Sequence, residues 1–170
     1  MHALTRRAAL ALLVAAPAAA QEPSAEAAGR RLVLNGSGVR RFVGFPVFRG
    51  WLYLAARESD AARIIASPDP KLLRLRYLRD VPRDRLVSTW EEAFATHCRC
   101  GVPPDFRARF RDLREGEVET WVFTAAGAEV RYGAEAPARV PSADAPRLLA
   151  YFIGPDAPSE GLRSGLLGLG

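Results

Sequence analysis

Apolar and polar positions along this chain change period several times, and each change marks an element. Arg31 to Phe42 is a strand-forming run interrupted by Gly36 and Gly38. Phe45 to Ala55 is a second such run, with Val43-Gly44 at the turn between them. On that second run Phe45, Val47, Arg49, Trp51 and Tyr53 share one face, and Phe48, Gly50, Leu52 and Leu54 share the other. Ser59-Asp60 supplies capping oxygens ahead of a short helix with Ala61, Ile64 and Ile65 on one side, and Pro68 and Pro70 end it. Lys71 to Asp80, rich in leucine and arginine, predicts a third strand.

Pro82 opens a longer helix in which Leu86, Trp90, Ala93, Phe94 and His97 recur at helical spacing. Cys98 to Pro104 reads as a loop, and Pro104-Asp105 starts another helix with Phe106, Phe110 and Leu113 as its stripe. Glu117–Thr124 and Glu129–Gly133 form a predicted hairpin around residues 125–128, and Arg139-Val140 a last short strand. Ser142 is placed to cap a helix carrying Ala145, Leu148, Leu149 and Phe152 that stops at Gly154. Ser159 to Leu167 predicts a terminal helix weakened by Gly161 and Gly165. Strands cluster and helices cluster, so the class is α+β: a mostly antiparallel sheet with most helices on one face. A ligand cleft between the two layers is natural in that arrangement.

The length of 170 residues is enough for one domain with its own core. Its first twenty residues carry Arg6 and Arg7, the apolar stretch Ala8 to Ala16, and Ala18-Ala19-Ala20 before Gln21, which is the pattern of an export signal over residues 1–20. Spanning a bilayer takes about 20 apolar residues, more than this stretch offers. The sequence does not decide between the general export route and the twin-arginine route hinted at by Thr5-Arg6-Arg7. The mature protein is expected in the periplasm or secreted. Residues 21–30, small, polar and alanine-rich, predict a flexible lead, and residues 31–170 a single domain. Without Arg6 and Arg7 the chain holds 22 bases against 19 acids, lowering the net charge from +5 to +3. That excess is too small, and too scattered, to point to nucleic acid.

Candidate chemistry is sparse. Arg40 follows the two glycines, and its rigid fork of donors suits a carboxylate, a phenolate or an enolate. Gly36 and Gly38 permit a bend or bulge and leave room beside the strand. Arg40 and Arg41 point to opposite sides of a regular strand, so one faces inward only if the other faces solvent. Tyr53 either brings its hydroxyl toward Arg40 or buries it against a backbone group. Tyr77 and Trp90 fit core positions as well as a ligand wall, and Thr89 beside Trp90 is the further helix candidate. No hydrolase elbow, phosphate loop or dinucleotide fingerprint is present, and no cofactor is indicated. His97-Cys98-Arg99-Cys100 resembles a metal site, but a structural zinc wants four ligands and the only other histidine is His2, so no metal is expected. In an oxidising compartment Cys98 and Cys100 either bridge each other across a very tight loop or stay free for an outside partner.

Leu34-Asn35-Gly36-Ser37-Gly38-Val39-Arg40, Leu52-Tyr53-Leu54, Tyr77-Leu78-Arg79-Asp80-Val81 leading into the Trp90–Phe94 helix, and Ile153-Gly154, in this order and spacing, resemble the exported bacterial branch of the chalcone isomerase-like family. The resemblance covers roughly residues 31 to 168. It implies an open-faced β-sandwich, a large antiparallel sheet under a layer of helices. The family contains plant enzymes that cyclise chalcones and relatives that resemble fatty-acid-binding proteins. Arg40 matches the cleft arginine that stabilises phenolate and enolate in the enzymes. The enzymes' strand threonine is replaced here by Phe48, their tyrosine and asparagine near the long helix by Pro82 and Thr89, and Tyr151 falls near the family's specificity position. Lost hydroxyl and amide donors remove stabilisation that enolate chemistry needs. The expectation is therefore a non-catalytic binder of an amphipathic carboxylate such as a fatty acid, through Arg40, Phe48, Tyr53, Tyr77, Thr89, Trp90 and Tyr151. The alternatives are an intramolecular lyase on a phenolic or enolisable substrate, with Arg40 as its catalytic residue, and an interaction protein of the cell envelope. The sequence leaves the oligomeric state open.

Overall fold

The computed structural model describes residues 22–170; the signal-peptide expectation for residues 1–20 lies outside them. Seven strands follow one another as a fully antiparallel meander: β1 (Ser24–Ala27), β2 (Arg30–Phe42), β3 (Phe45–Leu54), β4 (Lys71–Tyr77), β5 (Val118–Thr124), β6 (Gly127–Tyr132) and β7 (Ala138–Pro141). The helices are α1 (Ala61–Ala66), α2 (Arg83–Ala93, continued by a wider π-helical turn, Phe94–Cys98), α3 (Pro104–Arg107), α4 (Ala145–Ile153) and α5 (Glu160–Leu166). The expected α+β class, an antiparallel sheet with a layer of helices, is what the chain adopts. Among the described residues no helix is long and apolar enough to cross a membrane.

One face of the sheet carries the main core. Phe48, Leu52, Leu73, Leu75, Trp121, Phe123, Val130 and Val140 meet side chains from all five helices, including Ile64, Trp90, Phe106, Leu149 and Leu162. Burying such side chains contributes roughly 1.5–3 kcal/mol each and is the main force holding layer to layer. The other face has a small cluster of Ala25, Ala27, Leu32, Tyr53 and Leu72, to which no helix contributes.

The chain departs from expectation in four places. Residues 24–27, read as flexible lead, form β1: Ala25 and Ala27 alternate inward against Leu32, and Ala28 and Gly29, both at positive φ (49° and 71°), make the two-residue turn that suits a hairpin. The helix begun at Pro104 stops at Arg107, because Leu113 instead exchanges both backbone hydrogen bonds with Val81 (2.9 Å each), yet Phe106, Phe110 and Leu113 are all buried as their stripe required. The β5–β6 turn is only Ala125-Ala126, with Gly127 at φ 129° already in the strand. Asp144, not Ser142, precedes α4. Elsewhere local chemistry held. Asp60 caps α1 through the amides of Ala62 and Arg63. The only lysine, Lys71, buries its ammonium against the carbonyls of Ser67 and Asp69 (2.6 and 2.9 Å).

Candidate functional site

The site is built outward from β2. Between Leu34 and Gly36 the pairing with β3 slips by one residue, leaving Asn35 unpaired in the ladder. Its side chain compensates by donating to the Leu166 carbonyl and accepting from the Glu58 amide, both at 2.8 Å. The slip turns Gly36, Gly38 and Arg40 onto the helix-covered face, opposite Leu52, Gly50 and Phe48. The bulge that the glycines predicted is therefore present. The open space they predicted is not. A Cβ on Gly36 would lie 2.2 Å from the Gly165 carbonyl, and one on Gly38 2.5 Å from that of Leu162. A Cβ on Gly165 would in turn lie 2.3 Å from the Ser37 carbonyl. These three glycines let α5 rest backbone to backbone on β2.

Arg40 is the next inward position, past the start of α5. It begins a row across three strands, Arg40, Phe48 and Tyr77, with Phe48 and Tyr77 edge to face at 5.8 Å. Arg40 is partly buried and makes no hydrogen bond or ion pair among the described residues, whereas Arg41 is exposed and donates to the Gly44 carbonyl. From α4, Tyr151 comes close enough for the two to interact electrostatically: burial raises its phenol's pKa and the Arg40 charge lowers it. Trp90 of α2 stands 6.0 Å from the Tyr151 ring. Arg40, Phe48, Tyr77, Trp90 and Tyr151 therefore converge on one region.

Two anticipated residues do not join them. Tyr53 lies on the opposite face, in the helix-free cluster; Arg74 sits over its ring at 5.7 Å and its hydroxyl donates to the Glu22 carbonyl at 3.3 Å. It is an odd number of residues from Phe48 on a regular strand, so the two cannot share a face. Thr89 is exposed, one position around the helix from the buried Trp90.

Sequence reading overlooked the acidic floor beneath this region. Glu119 of β5 is completely buried; it accepts from the Tyr77 hydroxyl at 2.6 Å and from the Trp121 indole N–H. Burial pushes its carboxyl up to about 7, against the two donors that favour its charged form. The same burial, together with the Glu119 charge, holds the phenols of Tyr77 and Tyr132 above their ordinary value. The Tyr132 hydroxyl is buried with no hydrogen-bond partner among the described residues. The signal was in Val118–Thr124, where Glu119 shares its alternating face with Trp121 and Phe123. A carboxyl at a core-facing position of an apolar strand marks a polar site.

Cys98 and Cys100 form a disulfide. Beside it His97 meets the Tyr151 ring edge to face at 5.1 Å. The Asp144 carboxylate lies within 4.8 Å of both sulfurs, but these are bonded to each other and neither is a thiolate ligand. A hollow of about 510 Å³ is lined by His97, Cys98, Arg99, Arg147 and Asp156, and another of about 650 Å³ lies on the outer sheet face around Leu72, Arg74, Thr120 and Val122. Neither includes Arg40.

A fatty-acid-binding protein of Arabidopsis thaliana, known from a crystal structure, superposes on this chain with a TM-score of 0.62. The alignment covers 85% of this chain and 95% of that one at 12% identity, a likeness of fold. No curated protein matches in sequence. The family model described as chalcone isomerase-like matches residues 16–168. A fully antiparallel sheet under one helical layer, with the bulged glycine strand leading into Arg40, is the arrangement that the sequence markers implied, and the protein belongs to the chalcone isomerase-like family.

Proposed function

We propose that this is a non-catalytic, periplasmic ligand-binding protein that holds an amphipathic carboxylate, such as a fatty acid, between sheet and helices, with Arg40 pairing the acid. One observation carries the reading: a partly buried guanidinium on the helix-covered face, within electrostatic reach of the Tyr151 phenol, without an acidic partner among the described residues. A desolvated guanidinium is costly unless an anion meets it, and a carboxylate matches its fork. Phe48, Tyr77 and Trp90 supply an aromatic wall for a chain to lie against. Glu119 does not oppose an anionic guest in mildly acidic solution, since burial favours its neutral form. That the Arabidopsis protein of similar fold is a fatty-acid-binding protein is consistent with this use of the fold.

The test is native mass spectrometry of gently purified wild type, followed by titration with oleate. Retained lipid, oleate binding, and loss of both in Arg40→Ala with an intact cooperative melt are expected. A wild type that neither carries lipid nor binds oleate overturns the reading. A second reading, an intramolecular lyase, draws on the electrostatic reach of Arg40 to the Tyr151 phenol, a cation and a hydroxyl of the kind that suits a developing phenolate or enolate. Chalcone-to-flavanone absorbance tests it, and a rate equal to buffer removes it.

A further inference from the structure

The disulfide at the end of α2 plays no part in the proposed ligand site, yet its surroundings are those of a reactive sulfur pair. We propose that Cys98–Cys100 is an exchangeable disulfide, opened in the folded protein by an external dithiol that attacks Cys100.

Three observations carry this. First, the two sulfurs are unequally reachable: Cys98 is 1% exposed, whereas Cys100 is partly exposed. Exchange requires approach of a thiolate to one sulfur, so accessibility selects Cys100 as the point of attack and Cys98 as the leaving group. Second, the bridge closes over a single residue, Arg99, at φ 55° in the left-handed region. That conformation is the left-handed cap that ends the helix, with the Arg99 N–H bonded to the Phe94 carbonyl. Opening the ring needs little movement, because Cys100 is tied to the helix by one long backbone bond to the Phe94 carbonyl (3.3 Å). Third, basic side chains flank the loop: Arg99 sits between the cysteines, and Arg147 donates to the Cys98 carbonyl at 3.2 Å and pairs at 3.9 Å with Asp144, the acid within 4.8 Å of both sulfurs. Cationic neighbours lower a thiol's pKa and so speed its departure.

A thiolate of the dithiol attacks Sγ of Cys100, the Cys98–Cys100 bond breaks, and Cys98 leaves as thiolate and takes a proton from water. The dithiol's second sulfur, once deprotonated, attacks its partner in the mixed disulfide and releases Cys100, which is protonated in turn. Two electrons and two protons pass from the dithiol, which is oxidised, to the protein, which is reduced.

The test uses the full mature protein in native buffer. Dithiothreitol followed by alkylation should add two alkyl groups while the tryptophan fluorescence stays native. Reduced glutathione, a monothiol that stalls at the first stage, should leave its adduct on Cys100 by peptide mapping. In single-cysteine variants the thiol left by Cys98→Ala should react with an aromatic disulfide reagent about tenfold or more faster than the thiol left by Cys100→Ala. A bridge that is reduced only after urea unfolds the protein, or a glutathione adduct on Cys98, overturns the proposal. The wild-type arms decide it even if a variant fails to fold.

Discussion

Gly38 and Arg40 lie two residues apart on the same face of β2, yet their surroundings are opposite. Over Gly38 the backbone of α5 leaves no room for a single carbon, while Arg40 lies past the start of that helix and its long charged side chain is accommodated without an acidic partner among the described residues. The glycines therefore do not make open space themselves. They dock α5 closely, with Gly161 and Leu162 at its start lying over Gly38, one inward position before Arg40. Packing falls on one of these neighbouring positions and the proposed recognition of an acid on the other.

The sharpest way to break this division is to fill the closed side. Gly38→Ala places a Cβ against α5 backbone that cannot give way without moving the helix, and should cost about 3 kcal/mol or more by urea unfolding. Arg40→Ala should leave the unfolding midpoint within about 0.5 kcal/mol of wild type, as removal of a partly exposed, unpaired side chain does. Equal destabilisation by the two would erase the distinction.

The next effect concerns the floor under the open side. Glu119 holds its proton more tightly folded, at about 7, than its ordinary 4.5. Folded protein then binds more protons than unfolded protein in that interval, so its contribution is fully present below pH 4.5 and is lost as pH rises through 7. The loss is on the order of 3 kcal/mol for so buried a group. Thermal melts should fall between about pH 5 and pH 8 in wild type, and Glu119→Gln should flatten that fall. A variant that keeps the wild-type slope would assign the pH dependence elsewhere.

Smaller again is the loss of ligand affinity. Removing a charge-assisted pair at Arg40 should weaken oleate binding about tenfold or more in Arg40→Ala, with partial recovery in Arg40→Lys, which keeps the charge and loses the fork. The smallest effect is expected at the two residues the fold leaves out. Tyr53→Phe and Thr89→Ala should bind oleate as wild type does in the same titration, since one lies on the far face and the other in solvent. A clear loss in either would move the site away from Arg40.

Much of this was legible because it is local. Alternation on β3 separated Phe48 from Tyr53, and the spacing of Leu86, Trp90 and Phe94 set the inward stripe of α2. The same alternation already kept Tyr53 off Phe48's face and set Glu119 on the face of Trp121 and Phe123, whereas which of those faces Arg40 shares depends on the pairing of β2 with β3. Other features could not be read that way. The backbone contact of Gly36 and Gly38 with Gly165, and the approach of Tyr151 to Arg40, join segments more than a hundred residues apart.

The sequence by itself determined the class, the order of elements from β2 onward, the inward stripes and the cap of α1, because periodicity, capping and turn chemistry act over a few neighbouring residues. Only the tertiary structure decided that β1 exists, that the glycine strand is closed by α5, that Arg40 rather than Arg41 faces the helices, and that Glu119 is buried under them. Each of those depends on a register or a packing distance between segments remote in the chain, and one slipped residue in β2 is enough to exchange what faces the core for what faces water.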